Sequence, residues 1–256
     1  MAFLHFDFLS ASTTRIVHLN VILPCDSPYG QNFVPPYKSL YLLTGFADNS
    51  DRVMLDSNLK KYSETTGTAI FVLDGNNSFY VDANPMSKYS TLVGQEMVEM
   101  TRKAFHLSDK REDTWLGGMS MGGFGAFYNG MKYADTFSKI ILLAPAFDVY
   151  DMKVSDTDIP LFPEEFLMPL FGNREKYEAE FNFSAVYEKA LESGKSLPDL
   201  FLGLGNTDDI VNKGVKHFRE YMNEKNVPID YHEVPGSHDF VFMDNIYPFA
   251  FDFLKQ

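Results

Sequence analysis

Ser120 stands in the run Gly117-Gly118-Met119-Ser120-Met121-Gly122-Gly123-Phe124-Gly125, with a glycine two places before it and two places after it. A serine hydroxyl is a poor nucleophile near neutral pH. It needs a base to take its proton and a carboxylate to hold that base. A turn that lifts such a serine clear of a sheet is strained and needs small neighbours at the two flanking positions. The spacing predicts a nucleophilic serine at a strand-to-helix junction. The competing reading is a plain glycine-rich turn, because the pattern alone arises by chance in roughly one chain in ten of this length. The partners of the serine must decide.

Six histidines are available as the base. His238, in Pro235-Gly236-Ser237-His238-Asp239-Phe240, falls in a loop between the last predicted strand and the last predicted helix. His232 lies inside the preceding strand, where packing or surface exposure explains it. His5, His18, His106 and His217 have no local context for catalysis. For the acid, Gly203-Leu204-Gly205-Asn206-Thr207-Asp208-Asp209-Ile210 follows a buried strand, so its carboxylates fall at the carboxyl end of that strand. Asp208 is the first choice and Asp209 the alternative. Either can instead cap the following helix by accepting backbone N–H bonds, and one can cap while the other orients His238. An oxyanion also needs donors. The Met121 N–H lies at a helix start, where it is unpaired and favourably placed for negative charge. The Phe46 N–H, in the turn Leu42-Leu43-Thr44-Gly45-Phe46, is the second candidate; a simple glycine turn is the alternative there.

Elements that must position these residues can be read from periodicity. Alternation over residues 16–23 predicts a strand ending at Pro24, followed by a loop through Pro28, Pro35 and Pro36. Residues 38–43 and 69–73 are compact apolar runs of the kind buried on both faces of a parallel sheet. Residues 52–62 and 92–105 read as helices. The charged-to-apolar run 110–116 reads as the strand before the serine, and 126–131 as part of the helix after it. Residues 139–143 form a strand stopped by Pro145. Residues 147–192 are rich in Asp, Glu, Phe and Pro and fit no single period; they are expected to form short helices as a cap. Residues 199–204 and 229–234 are strands, and 211–223 and 239–255 carry helices. Strands alternating with helices predict one α/β domain over residues 1–256, with a mainly parallel sheet flanked by helices and ligands beyond the carboxyl ends of the strands. The chain order Ser120, Asp208, His238 is that of the α/β-hydrolase fold.

Bulk properties narrow the partners. The chain has 256 residues, 45% hydrophobic and 22% charged, with a net charge of −13. An acidic surface argues against nucleic acid and anionic membranes. No signal peptide or transmembrane stretch is visible, and the single cysteine, Cys25, excludes an intrachain disulfide. Together these predict a cytoplasmic protein with Cys25 buried or half-buried near a strand end. Asn76 and Asn182 match a glycosylation pattern, read as coincidence. Aromatic residues, at 15%, suffice to cover an interface, so a homo-oligomer is compatible with the composition.

The linked motifs Val21-Ile22-Leu23-Pro24, Tyr41-Leu42-Leu43-Thr44-Gly45, Ser78-Phe79-Tyr80, Lys110-Arg111-Glu112-Asp113-Thr114, the run 118–125, Gly205-Asn206-Thr207-Asp208 and Gly236-Ser237-His238-Asp239 resemble the esterase D-like group of α/β-hydrolases over nearly the whole length, most closely its bacterial tributyrin-esterase branch. The resemblance implies a carboxylesterase on short acyl esters, without metal or cofactor. It implies Ser120 as nucleophile, Asp208 as acid, His238 as base, and Met121 and Phe46 as oxyanion donors. Two positions depart from the family pattern: Thr44 stands where a histidine is usual, and Gly-Asn-Thr-Asp replaces the usual Gly-Thr-Glu-Asp. Rival functions are a thioesterase of the S-formylglutathione hydrolase type, an acyltransferase, and a binding protein that kept the fold and lost catalysis.

Overall fold

The computed structural model describes residues 2–25, 33–155 and 157–256. Ten strands are present among the described residues: β1 (Ala2–Ser10), β2 (Arg15–Leu23), β3 (Lys38–Leu43), β4 (Thr68–Leu73), β5 (Asp82–Asn84), β6 (Ser87–Lys88), β7 (Thr114–Met119), β8 (Lys139–Leu143), β9 (Asp199–Gly205) and β10 (Ile229–Val234). Eight of them make one sheet in the order β1-β2-β4-β3-β7-β8-β9-β10. The pairs β1–β2 and β2–β4 are antiparallel and the remaining neighbours are parallel. The sheet is therefore mainly parallel, as the alternation of elements predicts. The central strands read Thr-Ala-Ile-Phe-Val-Leu in β4 and Lys-Ile-Ile-Leu-Leu in β8; in β4 every residue is buried, and in β8 only Lys139 is not. Continuous apolar runs of this kind suit strands covered on both faces.

The helices are α1 (Ser50–Asp56), α2 (Leu59–Thr66), α3 (Tyr89–Thr91), α4 (Met97–Phe105), α5 (Met121–Lys132), α6 (Glu164–Phe171), α7 (Arg174–Glu180), α8 (Phe183–Glu192), α9 (Asn212–Glu224) and α10 (Phe240–Phe253). A π-turn over Leu92–Glu96 joins α3 to α4. Helix α5 packs on β3, β7 and β8, and α10 on β9 and β10. The segment 147–192 holds α6, α7 and α8, and α8 rests against α5.

Several expectations are corrected. The single helix expected over 52–62 is two helices, because Ser57 is extended (φ −128°, ψ 157°) and a new helix begins at Leu59 after Asn58. Strand β1 and the β5–β6 hairpin are additional to those expected. Cys25 is exposed, not buried: it lies two residues past the end of β2, where the chain leaves the sheet. Pro28 lies outside the described residues. Asn182 is buried, caps α8 through Ser184 N–H and donates to Asp148, which leaves no room for a glycan.

Register sets where the candidate residues gather. Leu43 pairs with Gly118, Met119 with Leu143, Leu143 with Gly203, and Val234 with Gly205. The carboxyl ends of β3, β7, β8, β9 and β10 thus lie along one edge. Every candidate site residue follows one of these strand ends by a few positions.

Candidate active site

Ser120 joins β7 to α5 with φ 57° and ψ −117°, a conformation L-residues rarely adopt. The turn holds because both ends are pinned. Ser120 N–H donates to Leu143 O at 2.9 Å, and Ser120 O accepts from Phe124 and Ala146 N–H at 3.0 Å each. The flanking glycines are required by close approach. A methyl on Gly118 would come within 2.4 Å of the Gly122 backbone, and one on Gly122 within 2.0 Å of Leu43 O. The small residues at minus two and plus two let β7, α5 and the end of β3 converge on the serine.

The loops after β9 and β10 bring the acid and the base together. His238 Nδ1 lies 2.7 Å from Asp208 Oδ2. The Asp208 side chain is fully buried and that of His238 is 15% exposed. The other Asp208 oxygen accepts from Ile210 N–H at 3.0 Å and Val211 N–H at 3.2 Å, just ahead of α9. One aspartate therefore both orients the imidazole and holds the turn ahead of α9, while α9 itself begins after Val211 without a side-chain cap, so neither Asp208 nor Asp209 caps it. Asp209 is exposed and accepts from the Ser155 hydroxyl of the 147–192 segment. The two loops are sewn together: Thr207 donates to Gly236 O through its N–H at 3.0 Å and its hydroxyl at 2.8 Å. Gly236 has φ 138°, and a methyl there would meet the Phe242 backbone at 2.7 Å. With Nδ1 committed to Asp208, Nε2 is the ring nitrogen left for proton exchange.

The β3 turn lies beside the serine. A methyl on Gly45 would sit 3.7 Å from Ser120 Cβ. Thr44 is buried, and its hydroxyl accepts from Gly75 N–H at 3.1 Å and meets Tyr80 Oη at 3.2 Å; Tyr80 Oη also donates to Thr44 O at 2.9 Å. Burial drives the Tyr80 phenol far above its usual range, so it remains a neutral donor. Periodicity gives no role to Ser78-Phe79-Tyr80. The signal it carried was the bulky pair Phe79-Tyr80 after Asn-Asn, and both residues have positive φ, 49° and 56°. A cavity of 20 Å³ lies beneath the turn, lined by Thr44, Gly45, Asp48, Met119 and Tyr247. Burial raises the Asp48 pKa.

Aromatic rings link this turn to the 147–192 segment. The Phe46 ring meets Phe162 at 5.1 Å and Phe166 at 5.3 Å, both near edge-to-face. Phe79 meets Phe162 at 5.3 Å and Phe171 at 5.4 Å. The remaining histidines lie elsewhere: His232 pairs with Asp230 at 2.8 Å and stacks on Phe249, His18 pairs with Asp7, and His217 with Asp148.

A strained serine between strand and helix, an Asp–His pair in the loops after β9 and β10, and a mainly parallel eight-stranded sheet define the α/β-hydrolase class. Residues 10–244 match the family described as "Putative esterase". An acetyl esterase of Caldicellulosiruptor saccharolyticus is 29% identical, covering 100% of this chain and 99% of the relative. Among solved structures, the fluorophosphonate-binding serine hydrolase FphF of Staphylococcus aureus, substrate bound, superposes with a TM-score of 0.85 at 25% identity, covering 100% and 98% of the two chains. The S-formylglutathione hydrolase FrmB of the same organism has the same fold, with a TM-score of 0.84 at 24% identity and coverage of 100% and 99%. The chain belongs to the esterase family, and it is a serine esterase acting on small carboxylic esters. No helix among the described residues is long and apolar enough to cross a membrane.

Proposed function

We propose that the chain hydrolyses short-chain acyl esters through an acyl-enzyme on Ser120, with His238 as base, Asp208 as acid, and the N–H groups of Met121 and Phe46 as oxyanion donors. The observation that carries this assignment is the 2.7 Å bond between His238 Nδ1 and the fully buried Asp208 carboxylate. Ser120 Oγ attacks the acyl carbon while His238 Nε2 takes its proton. The carbonyl oxygen becomes an oxyanion held by the two amides. The imidazolium returns the proton to the leaving alkoxy oxygen as the C–O bond breaks. Water then attacks the acyl-enzyme, giving a proton to Nε2; collapse releases the carboxylic acid, and Ser120 recovers the proton. No step needs a metal or cofactor.

The acetyl esterase similarity supports a small acyl group. Phe46 and Phe166, the partly exposed rings of the group, supply an apolar wall suited to acetyl to butyryl chains, including those of tributyrin, while the buried Phe79, Phe162 and Phe171 pack the cap segment 147–192 onto the core behind them. The single exposed thiol, Cys25, supports a reducing, cytoplasmic location, and the charge of −13 disfavours nucleic acid as a partner.

Hydrolysis of p-nitrophenyl acetate, butyrate and octanoate by wild type and Ser120→Ala tests the assignment. Activity on the short esters should fall by roughly 10⁴-fold or more in the variant. Equal turnover by the two proteins would remove Ser120 from the mechanism. A folded wild type that cleaves only the S-formylglutathione thioester would replace the ester reading.

A further inference from the structure

The two edges of the sheet are built differently. Strand β10 is six residues long and carries Asp230 and Glu233, charges of the kind that keep an edge from pairing with another chain. Strand β1 is nine residues long, Ala-Phe-Leu-His-Phe-Asp-Phe-Leu-Ser, and holds its register with β2 without a break from Ala2–Leu23 to Ser10–Arg15. It has no lysine, no proline and no bulge. Among the described residues no strand lies on its outer side. Such an edge offers a row of unpaired N–H and C=O groups to another strand.

One face of β1 presents Phe3, His5, Asp7 and Leu9 to solvent. Phe3 is 46% exposed and Leu9 76%. Their neighbours across β2 are Ile22, Asn20, His18 and Ile16. Asp7 bonds His18 at 2.8 Å, and His5 lies 3.8 Å from Asp51. The order apolar, imidazole, carboxylate, apolar is complementary to its own reverse.

We propose that β1 is the two-fold interface of a homodimer, pairing antiparallel with β1 of a second copy in the register centred on Phe6. In antiparallel pairs, residues directly opposite share a face. A two-fold axis at Phe6 therefore sets Phe3 against Leu9 of the second copy and His5 against Asp7 of the second copy, each twice. An apolar row, Ile16–Leu9–Phe3, and a polar row, His18–Asp7–His5, then run across the junction. Shifting the axis by one residue sets His5 against His5 or Asp7 against Asp7 and places Phe3 or Leu9 opposite a charged or polar group. The joined sheet has sixteen strands, and the site loops after β7, β9 and β10 lie away from the junction.

Sedimentation velocity of the full chain over a micromolar concentration series tests the proposal, with circular dichroism melting and ester turnover as checks on the fold. The wild type should be a dimer. Leu9→Glu should raise its dissociation constant by about tenfold or more, since an apolar pair becomes a buried unpaired charge at two places. Adding Phe3→Lys to Leu9→Glu should restore dimerisation, because only the register centred on Phe6 sets positions 3 and 9 opposite each other. A monomeric wild type at 100-fold excess over assay concentration, a dimer indifferent to Leu9→Glu, or a double variant as weak as the single one would each overturn it.

Discussion

Asp208 carries two loads through its two oxygens. Oδ2 holds His238 and Oδ1 holds the turn that opens α9. Replacing it with asparagine keeps the size but changes the hydrogen-bonding, so the imidazole loses the partner that fixes its tautomer. Turnover of Asp208→Asn should fall by about 10³–10⁴-fold, and its stability by about 1–2 kcal/mol through the weakened turn. Asp209→Asn should keep turnover near that of wild type, since Asp209 faces Ser155 in the 147–192 segment. Steady-state kinetics with thermal melts on both variants separates the two aspartates; loss confined to Asp209→Asn would reassign the acid. The sequence brings Ser120, Asp208 and His238 into view because each has a local cue: paired glycines, a strand end, a loop before a helix. It leaves Asp208 and Asp209 open because adjacent residues share every such cue, and only burial distinguishes them.

At the scale of elements, the turn after β3 is held by a hydroxyl that links it to β4 and to Tyr80. Thr44 accepts from Gly75 N–H and bonds Tyr80 within a buried cluster. Thr44→Val keeps the shape of the side chain and removes the acceptor, leaving the Gly75 N–H and one Tyr80 bond unmade. The turn that carries Phe46, the proposed oxyanion donor, then loosens. The expected result is a fall of about tenfold in kcat with little change in KM, a smaller effect than deleting an oxyanion donor outright. Unchanged kcat would separate the turn from the transition state. The central strands were legible because residues buried on both faces leave long apolar runs. Strand β1 was not, because Phe6 and Phe8 pack inward while Phe3, His5, Asp7 and Leu9 face water, and aromatic residues on both faces obscure the alternation. The break at Ser57-Asn58 is hidden for a different reason: no proline or glycine marks the extended Ser57, and Asn58 starts the next helix without a side-chain cap.

Over the whole molecule, the 147–192 segment and the β3 turn meet through the rings of Phe46, Phe162 and Phe166. Such contacts are set by chain folding over more than a hundred residues, so the composition of the segment showed its aromatic content but not its target. Phe166 is half-buried and stacks on Phe162 at 5.8 Å. Phe166→Ala should widen the apolar wall and shift preference toward longer chains, raising the ratio of octanoate to acetate kcat/KM by about tenfold, a change of about 1.4 kcal/mol that removal of one large apolar contact can supply. Kinetics across the p-nitrophenyl ester series reads this ratio directly; a uniform loss on all chain lengths would make the ring a structural support only.

The backbone at position 120 has an evolutionary consequence. With φ 57° and ψ −117°, the serine stores strain of about 1–3 kcal/mol, which a glycine would release. Ser120→Gly should melt higher than wild type while losing turnover, and a melting temperature at or below that of wild type would show that the turn holds no such reserve. In a lineage freed from selection for ester hydrolysis, drift would favour loss of Ser120 and resist loss of Asp208, whose removal loosens the turn ahead of α9. Descendants without activity would then keep the Asp–His pair as a fossil beside a vanished serine.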